Sequence, residues 1–236
     1  MNTTKPPFDD VLVRQAVFHA LDRQELLDVA YSGQGRPLNG GYLPDDRFGA
    51  LTEPVYGEPD LDTARDLLAE AGYPDGFETT ITVIATSAFQ VRQAEVEQEQ
   101  LRAIGIEATI VPVESAVSTQ IVADGDFELY QGGFGMRSDP DERFTAGFTT
   151  DGGLNYGGWS DAEFDQLIED ARGETDAEAR AELYQEAEMI LATRGPSAFT
   201  FLTADYDVVG ADVMGYRGDQ TPNFNIYKYL WLEPAS

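Results

Sequence analysis

The sequence predicts an α/β fold in which helices flank a central, mainly parallel β-sheet. Three apolar or β-branched segments, residues 79–85, 106–113 and 127–131, alternate with two helical patterns, residues 90–104 and 115–123. This β-α-β-α-β order predicts parallel strands joined by right-handed crossovers. Apolar residues make up 42% of the 236 positions, so we expect the sheet to lie in a sizeable core.

Two short helices and a long loop are predicted ahead of this region. Asp9 or Asp10 can cap a helix whose apolar residues follow the 3.6-residue period, and Asp22 stands at capping-box spacing from Glu25 for the second. Residues 36–59 contain clustered glycines and prolines with few periodic apolar residues. They are therefore predicted to form an ordered loop.

The clearest helical pattern begins at Asp60 and ends at Gly72, where Pro74 blocks continuation. One face of this helix carries five apolar residues, which form a single apolar stripe. These are Leu61, Ala64, Leu67, Leu68 and Ala71.

Beyond the sheet, two more helices are predicted from capping-box pairs. Ser160 with Glu163 begins the first, and Thr175 with Glu178 begins a long second helix that ends near Arg194. Strands are predicted at residues 198–202 and 206–209, followed by an aromatic tail at residues 223–232.

The chain is strongly acidic. Fifteen basic and 43 acidic residues give a net charge of −28, whereas the net charge of a small soluble domain usually has a magnitude of about 2–8. Such a surface repels nucleic acids and anionic lipids. Only Lys5 and Lys228 are lysines, and the acids are spread over helix faces, which favours adaptation to high salt. A surface for calcium or a cationic ligand is the alternative, although no EF-hand loop is present.

Several chemistries are excluded by residue type. The chain has one histidine and no cysteine, so zinc sites, disulfides and histidine-dependent nucleophilic triads are not available within it. His19 lies in the middle of a predicted helix and is expected to be structural. No phosphate-binding loop, signal peptide or membrane-spanning apolar run is visible. We therefore expect no catalytic residue, no cofactor and no metal.

A candidate recognition surface follows the third predicted strand. Glycine-rich loops there expose backbone groups, aromatic rings and a few charges, and ligands of parallel sheets bind beyond the carboxyl ends of the strands. Ser115, at the end of the preceding strand, shares this rim. The candidate ligand-binding residues are Ser115, Gly133, Phe134, Gly135, Met136, Arg137 and Asp139.

Three alternatives stay open at this surface. Arg137 can grip a solute carboxylate bidentately or form an ion pair with Asp139 or Asp141. Trp159 can contact a ligand or pack against the helix that follows it. Glu114 and Asp139 could form an acid–base pair, in which case the chain would be a carboxylate-pair hydrolase.

Several segments together resemble the family 5 extracellular solute-binding proteins, which are the peptide and nickel receptors of ABC importers. The resemblance covers nearly the whole chain and implies a type II periplasmic-binding-protein fold and non-covalent solute capture. The segments that carry it are VRQAVFHALDRQELL (13–27), DTARDLLAEAGYPDGF (62–77), LRAIGIEATIVPVE (101–114), GDFELYQGGFG (125–135), DPD (139–141) and NYGGWSDAEFDQLIEDA (155–171).

The resemblance also implies how the chain is divided. Residues 1–204 would be the second ligand-binding lobe, and residues 205–236 would cross back to complete a first lobe that otherwise lies outside this sequence. The implied partners are a peptide-like or similar small solute and an ABC-transporter permease, at an extracellular, cell-surface or periplasmic location. Dimerisation through an exposed C-terminal segment and a stand-alone interaction module are further expectations.

The loop departs from the peptide receptors at one position. In those receptors an aspartate after the loop aromatic pairs with the amino terminus of the peptide, whereas this chain aligns Arg137 there and has Asp139 two residues later. Either Asp139 takes that role in a shortened loop, or the solute is not a peptide with a free amine. Ser115 likewise stands where an aromatic residue is frequent.

Overall fold

The computed structural model describes residues 1–38, 40–133, 135, 139–204, 206–217 and 228–233. Within these ranges it contains eight helices and seven strands. The helices are α1 (Val11–Ala20), α2 (Arg23–Tyr31), α3 (Leu61–Glu70), α4 (Ala88–Arg102), α5 (Ser115–Asp124), α6 (Pro140–Phe148), α7 (Ala162–Gly173) and α8 (Ala177–Arg194). The strands are β1 (Gly35–Pro37), β2 (Phe77–Ile84), β3 (Ile106–Val113), β4 (Leu129–Tyr130), β5 (Phe201–Thr203), β6 (Val213–Met214) and β7 (Trp231–Leu232).

The predicted parallel sheet is confirmed. Its strand order is β3-β2-β4, and both neighbours run parallel to β2. β2 and β3 pair along their full length, from Phe77 opposite Ile106 to Ile84 opposite Val113. Helices α4 and α5 form the crossovers, so the carboxyl ends of all three strands lie at one edge, as the alternating pattern predicts.

The third strand is shorter than predicted because a side chain replaces part of its backbone pairing. β4 covers two residues rather than residues 127–131. The Glu128 carboxylate accepts a hydrogen bond from Thr80 N at 2.7 Å and others from the Thr79 and Thr80 hydroxyls. A charged residue therefore ends the ladder at that point.

The caps of the first three helices are as predicted. Asp10 accepts from Leu12 N, Asp22 from Glu25 N, and Asp60 from Thr63 N, each at 2.8–3.0 Å. The predicted loop over residues 36–59 is also largely present, although its first residues form β1, which pairs antiparallel with β5.

The caps of α7 and α8 lie one residue later than predicted. Asp161 rather than Ser160 caps α7, and Asp176 rather than Thr175 caps α8, each accepting two backbone N–H groups. An aspartate is at least as good an N-cap as a hydroxyl residue, and here it also places negative charge at the positive end of the helix. The Ser160 hydroxyl instead bonds to that of Thr150 at 2.9 Å.

Two further expectations were wrong and one helix was missed. Residues 206–209 do not form a strand, and the strand predicted at 198–202 is displaced to β5. Helix α6 was not predicted, although Asp139 followed by Pro140 is a typical helix start and Phe144 and Phe148 have helical spacing.

Two hydrophobic clusters form the core. The first lies between the sheet and helices α1, α3 and α4, with Val13, Leu68 and Val83 fully or nearly fully buried. The second is aromatic and joins α6, α7 and α8 to the loop after β1, around Phe144 and Tyr184. Leu129 of β4 packs against the first cluster, and Phe199, just before β5, belongs to the second.

Candidate functional site

The structure brings two of the predicted site residues to one place. Ser115 begins α5 directly after β3, and Gly133 follows β4; both are exposed and line the same cavity. Gly135 and Asp139 are also exposed. Phe134, Met136 and Arg137 lie outside the described residues. The rim predicted from the strand order is therefore present at its described positions, and its role in binding stays a prediction.

Gly135 is held by two side chains from other parts of the chain. Its carbonyl accepts a hydrogen bond from the Tyr42 hydroxyl at 3.0 Å and from Arg143 Nη2 at 3.4 Å. Tyr42 is buried and packs against the rings of Phe144 and Phe199, at centroid distances of 6.0 and 5.7 Å. The middle of the glycine-rich loop is thus tied to the aromatic cluster.

Asp139 anchors the other end of this loop. Its carboxylate caps α6 by accepting from Asp141 N at 2.9 Å, and it forms two hydrogen bonds with the Arg180 guanidinium, both at 2.9 Å. The hydrogen bonds from Arg180 hold the pKa of Asp139 below its usual value. Asp139 is therefore an ionised structural anchor whose charge is already matched.

One face of helix α8 contacts both points at which the glycine-rich loop is held, Asp139 and the segment that carries Tyr42. Arg180, Tyr184 and Glu188 are spaced four residues apart and so lie on one side of the helix. Arg180 Nη2 also donates to the Tyr184 hydroxyl at 2.8 Å. Glu188 Oε2 accepts from Leu43 N at 3.1 Å, next to the tyrosine that holds Gly135.

Glu188 is a buried carboxyl group. It has no exposed surface, and burial raises its pKa to about 8. A Cβ at Gly41 would overlap Glu188 Oε2, so a larger residue there would force the Glu188 side chain to shift. Tyr42, Arg143, Arg180 and Glu188 were not predicted as site residues. A charged residue on the apolar face of α8, four after Tyr184, was the available signal for Glu188.

A cavity of about 630 Å³ lies behind the rim. Its lining includes the β4 edge from Leu129 to Gly133 and the segment from Pro196 to Leu202. Ser115 and Ser118 also line it, and the hydroxyl of the buried Ser118 bonds to that of Tyr130 at 2.9 Å.

One part of the cavity wall is polar. Glu97 and Gln131 are hydrogen-bonded to each other there, and Gln93 donates to Glu97 Oε1 at 2.9 Å. Burial raises the pKa of Glu97, partly offset by its hydrogen bond from Gln131. The remaining wall is largely apolar, because side chains of both hydrophobic clusters reach it.

The second glycine-rich loop is mainly structural. Asn155 accepts from Trp159 N and donates to Trp159 O, at 3.1 and 2.6 Å. Trp159 is buried and packs edge-on against Phe164 at 5.3 Å, which favours the packing alternative over ligand contact. Tyr156 is 44% exposed and lines the cavity, so it is the aromatic side chain of this loop that a solute can reach.

The other candidate groups lie apart from the residues that line this cavity. Neither Glu114 nor Asp139 is among the residues that line the cavity. His19 packs edge-on against Tyr56 at 5.0 Å, and desolvation lowers its pKa. No group of three or more acidic or histidine side chains within the described ranges is placed to hold a metal ion.

Residues 1–156 match the sequence model of a protein family, the bacterial extracellular solute-binding proteins, family 5 middle region. The chain belongs to family 5. Of the helices in the described part of this family 5 chain, none combines the length and apolarity needed to cross a membrane.

Relatives of this family 5 chain are named for different ligands. It is 33% identical over 205 residues to heme-binding protein A of Haemophilus influenzae, a match covering 83% of this chain and 37% of that protein. It is 28% identical over 226 residues to the dipeptide-binding protein of Escherichia coli, covering 92% of this chain and 42% of that protein.

A solved structure confirms the fold. The periplasmic binding protein DppA from Helicobacter pylori, in complex with the peptide STSA, superposes with a TM-score of 0.78 at 26% identity. The match covers 99% of this chain and 46% of DppA. The family 5 chain thus has a type II periplasmic-binding-protein-like fold and spans less than half the length of each of these three relatives.

Proposed function

We propose that this chain is one lobe of the substrate-binding component of an ABC importer. It captures a peptide-like or other small polar solute non-covalently and supplies one half of an inter-lobe cleft. The observation that carries the proposal is the rim at the carboxyl ends of the parallel strands, where Ser115 and Gly133 border a cavity. Family membership and the peptide-binding relatives support the same function.

The proposed division of the chain follows from the relatives' greater length. Residues 1–204 form the second lobe, and residues 205–236 cross to the first. Apolar side chains in the described part of that segment are unusually exposed, which supports a missing counterpart surface. They include Tyr206 at 71%, Val208 at 100%, Tyr229 at 68% and Leu232 at 67% exposure.

The loop supports capture by backbone groups rather than by a loop acid. Tyr42 and Arg143 hold the carbonyl of Gly135, which is itself exposed at the rim. Asp139 is matched by Arg180, which leaves it poorly suited to bind a solute ammonium group. Of the two alternatives raised by the sequence, a solute not recognised through a free amine is therefore favoured, and Arg137 is proposed to bind its carboxylate.

The hydrolase alternative has little support from the same geometry. An acid catalyst needs a raised pKa, whereas hydrogen bonds from Arg180 lower the pKa of Asp139. Capture by closure of two lobes needs no such group. We propose an extracellular, cell-surface or periplasmic location, and an ABC permease as the partner that receives the solute.

Identifying the bound solute and measuring its affinity tests the proposed function directly. Small molecules that copurify with a receptor containing both lobes would be identified by native mass spectrometry, with heme and glutathione as reference ligands. Calorimetry would then compare Ala-Leu, N-acetyl-Ala-Leu and Ala-Leu-amide. We expect acetylation to change the affinity by less than about threefold and amidation to lower it by about tenfold or more. If acetylation lowered the affinity more than amidation did, recognition would instead depend on an acidic residue that pairs with the amine.

A further inference from the structure

Helix α8 places one carboxyl group inside the aromatic cluster. Glu188 lies one turn after the buried Tyr184 and has no exposed surface. Its Oε2 accepts a hydrogen bond from Leu43 N at 3.1 Å, whereas Oε1 has no hydrogen-bond partner within the described part of the chain. A buried carboxyl group with one oxygen unsatisfied costs stability, so packing alone does not account for a glutamate at this position.

The backbone of residues 41–43 covers this carboxyl group. A Cβ at Gly41 would overlap Glu188 Oε2, so the chain passes directly against that oxygen. Leu43 N approaches the same atom from the other end of the segment. Water can therefore reach Oε2 from this side only if residues 41–43 move away from α8.

The same segment carries a contact that holds the binding rim. Tyr42 stands between Gly41 and Leu43 and donates from its hydroxyl to Gly135 O at 3.0 Å. Because the three residues are consecutive, a displacement that opens the site of the carboxyl group also moves this hydroxyl away from Gly135. The state of Glu188 is thus linked to the rim through a short stretch of backbone.

A negative charge on Glu188 would be poorly compensated. Burial raises the pKa of Glu188 to about 8, opposed by backbone hydrogen bonds from Leu43 and Tyr42. The ionisable side chains of the surrounding elements make contacts of their own. On α8, Arg180 bonds to Asp139 and Tyr184; in the loop after β1, Asp45 and Asp46 pair with Arg36, and Arg47 Nε lies 4.0 Å from Asp46; on α6, Arg143 donates to Gly135 O; on α7, Asp161 and Glu163 pair with Arg194, and Arg172 with Asp141; on α1, Arg14 donates to backbone carbonyls and His19 packs on Tyr56.

We propose that Glu188 is a positioning residue for solute capture, whose proton keeps residues 41–43 against α8 and thereby keeps Gly135 in place at the rim. Loss of the proton leaves a carboxylate that needs hydration, because a buried unpaired charge costs far more than a neutral carboxyl group. Residues 41–43 then move away from α8 and release Gly135. This proposal rests on the proposed function, since it concerns the regulation of the same rim.

The direction of the pH dependence follows from the raised pKa of Glu188. A group whose pKa is raised in the closed arrangement favours that arrangement below this pKa, and the advantage is lost as the pH rises through it. The closed rim is therefore favoured below about pH 8 and opens above it. By reciprocity, a solute that binds the closed rim more tightly raises the affinity of Glu188 for its proton by the same factor.

Carbonyl NMR of the 236-residue chain without solute tests the link between Glu188 and the rim. The ¹³C shift of the Gly135 carbonyl responds to its hydrogen bond from Tyr42, and it is followed from pH 6 to 9.5 together with the ¹³C shift of the Glu188 carboxyl group. We expect both shifts to change with one midpoint near pH 8. In Glu188→Gln the Gly135 shift should stay constant, whereas in Glu186→Gln, an exposed position on the same helix, it should change as in the wild type.

Two results of this titration would overturn the proposal. One is a Gly135 shift that stays constant in the wild type between pH 6 and 9.5, and the other is an equal change in Glu188→Gln. Tyr42→Phe supplies the shift expected for the released carbonyl at every pH. Because the two midpoints are compared within the wild-type chain, the titration decides the matter even if Glu188→Gln does not fold.

Solute affinity gives the functional readout. The protein is a receptor that contains both lobes, and the probe is N-acetyl-Ala-Leu, which has no group that titrates between pH 6 and 9.5. We expect its Kd to rise by about fivefold or more over this range in the wild type, and by less than about twofold in Glu188→Gln. A Kd that is independent of pH in the wild type would overturn the role of Glu188 in capture.

Failure of this proposal and failure of the proposed function give different results. A two-lobed receptor that binds no solute at either pH would count against the proposed function. The carbonyl titration needs no solute, so it would still decide whether Glu188 holds the rim. Conversely, tight binding that is the same at both pH values would leave solute capture standing and would remove Glu188 from it.

Discussion

Arg180 forms two hydrogen bonds of 2.9 Å with the carboxylate of Asp139 and so ties helix α8 to the end of the glycine-rich loop. The same carboxylate caps α6. A residue that the sequence suggested as a solute contact is therefore an anchor between two helices. This relationship determines what substitution of Asp139 should do.

Asp139→Asn should destabilise the chain by about 1 kcal/mol, because a cap and a partly exposed ion pair are weakened together. The pKa of Asp139 is lowered in the folded state. The contribution of Asp139 to folding stability is therefore fully present above its pKa in the unfolded chain. It is lost as the pH falls through its lower pKa in the folded state. Urea unfolding at pH 7 and pH 3 measures the difference.

Asp62→Asn is the control for Asp139→Asn. Asp62 also pairs with an arginine, Arg65, but its side chain is 97% exposed, so we expect a change below about 0.5 kcal/mol. Equal effects of the two substitutions at pH 7 would show that Asp139 is not an anchor.

Glu188→Gln should change how stability depends on pH. Burial raises the pKa of Glu188 to about 8, so the folded state keeps this proton while the unfolded chain loses it near 4.5. The wild-type chain is therefore expected to lose about 3–5 kcal/mol of stability as the pH rises from 4.5 to 8. The glutamine variant should lack this loss.

Thermal unfolding across this pH range would measure the effect. Glu186→Gln is the control, since Glu186 is exposed on the same helix. Parallel profiles for wild type and Glu188→Gln would contradict a buried, protonated Glu188.

Tyr42→Phe should loosen the rim without disturbing the aromatic packing. It removes the hydroxyl that donates to Gly135 O, at a cost of about 1 kcal/mol. Amide exchange near Gly135 should become faster, while Tyr73→Phe, in the other cluster, should leave it unchanged. Unaltered exchange near Gly135 in Tyr42→Phe would mean that the hydroxyl does not position the loop.

High salt should stabilise the chain because it screens repulsion among 43 acidic and 15 basic residues with a net charge of −28. The melting temperature is expected to rise in molar KCl, and more than in sucrose at matched osmolality. A melting temperature that is flat or falls with KCl would refute adaptation to high salt.

The exposed tail should mediate self-association. Trp231 and Leu232 are 54% and 67% exposed on a two-stranded antiparallel sheet with Val213 and Met214. Trp231→Ser should weaken dimerisation by about tenfold in sedimentation analysis, whereas Phe89→Ser, an exposed aromatic on α4, should not. A wild-type chain that stays monomeric at high concentration would contradict self-association through the tail.

The fold was predictable where the signals are local. The alternation of strands and helices predicts the sheet, and the caps at Asp10, Asp22 and Asp60 follow from spacing alone. Helix α6 was missed although its Asp-Pro start is local. The extent of β4 was not predictable, because the Glu128 side chain ends the ladder through a contact with Thr80, 48 positions away.

The site was predictable only in outline. Strand order places Ser115 and Gly133 on one rim, but the anchors of the loop come from distant positions. Tyr42 reaches Gly135 across 93 positions, and Arg180 reaches Asp139 across 41. No periodic pattern marks such pairs, so the role of Asp139 became clear only from its partner.

Solute affinity with and without the other lobe tests the central claim most directly. Calorimetry would compare the 236-residue chain with a receptor that also contains the first lobe, using the solute identified by mass spectrometry. The account predicts weak or undetectable binding by the chain alone and at least about a hundredfold tighter binding by the two-lobed receptor. Sub-micromolar binding by the 236-residue chain alone would contradict the claim that it supplies only half of the cleft.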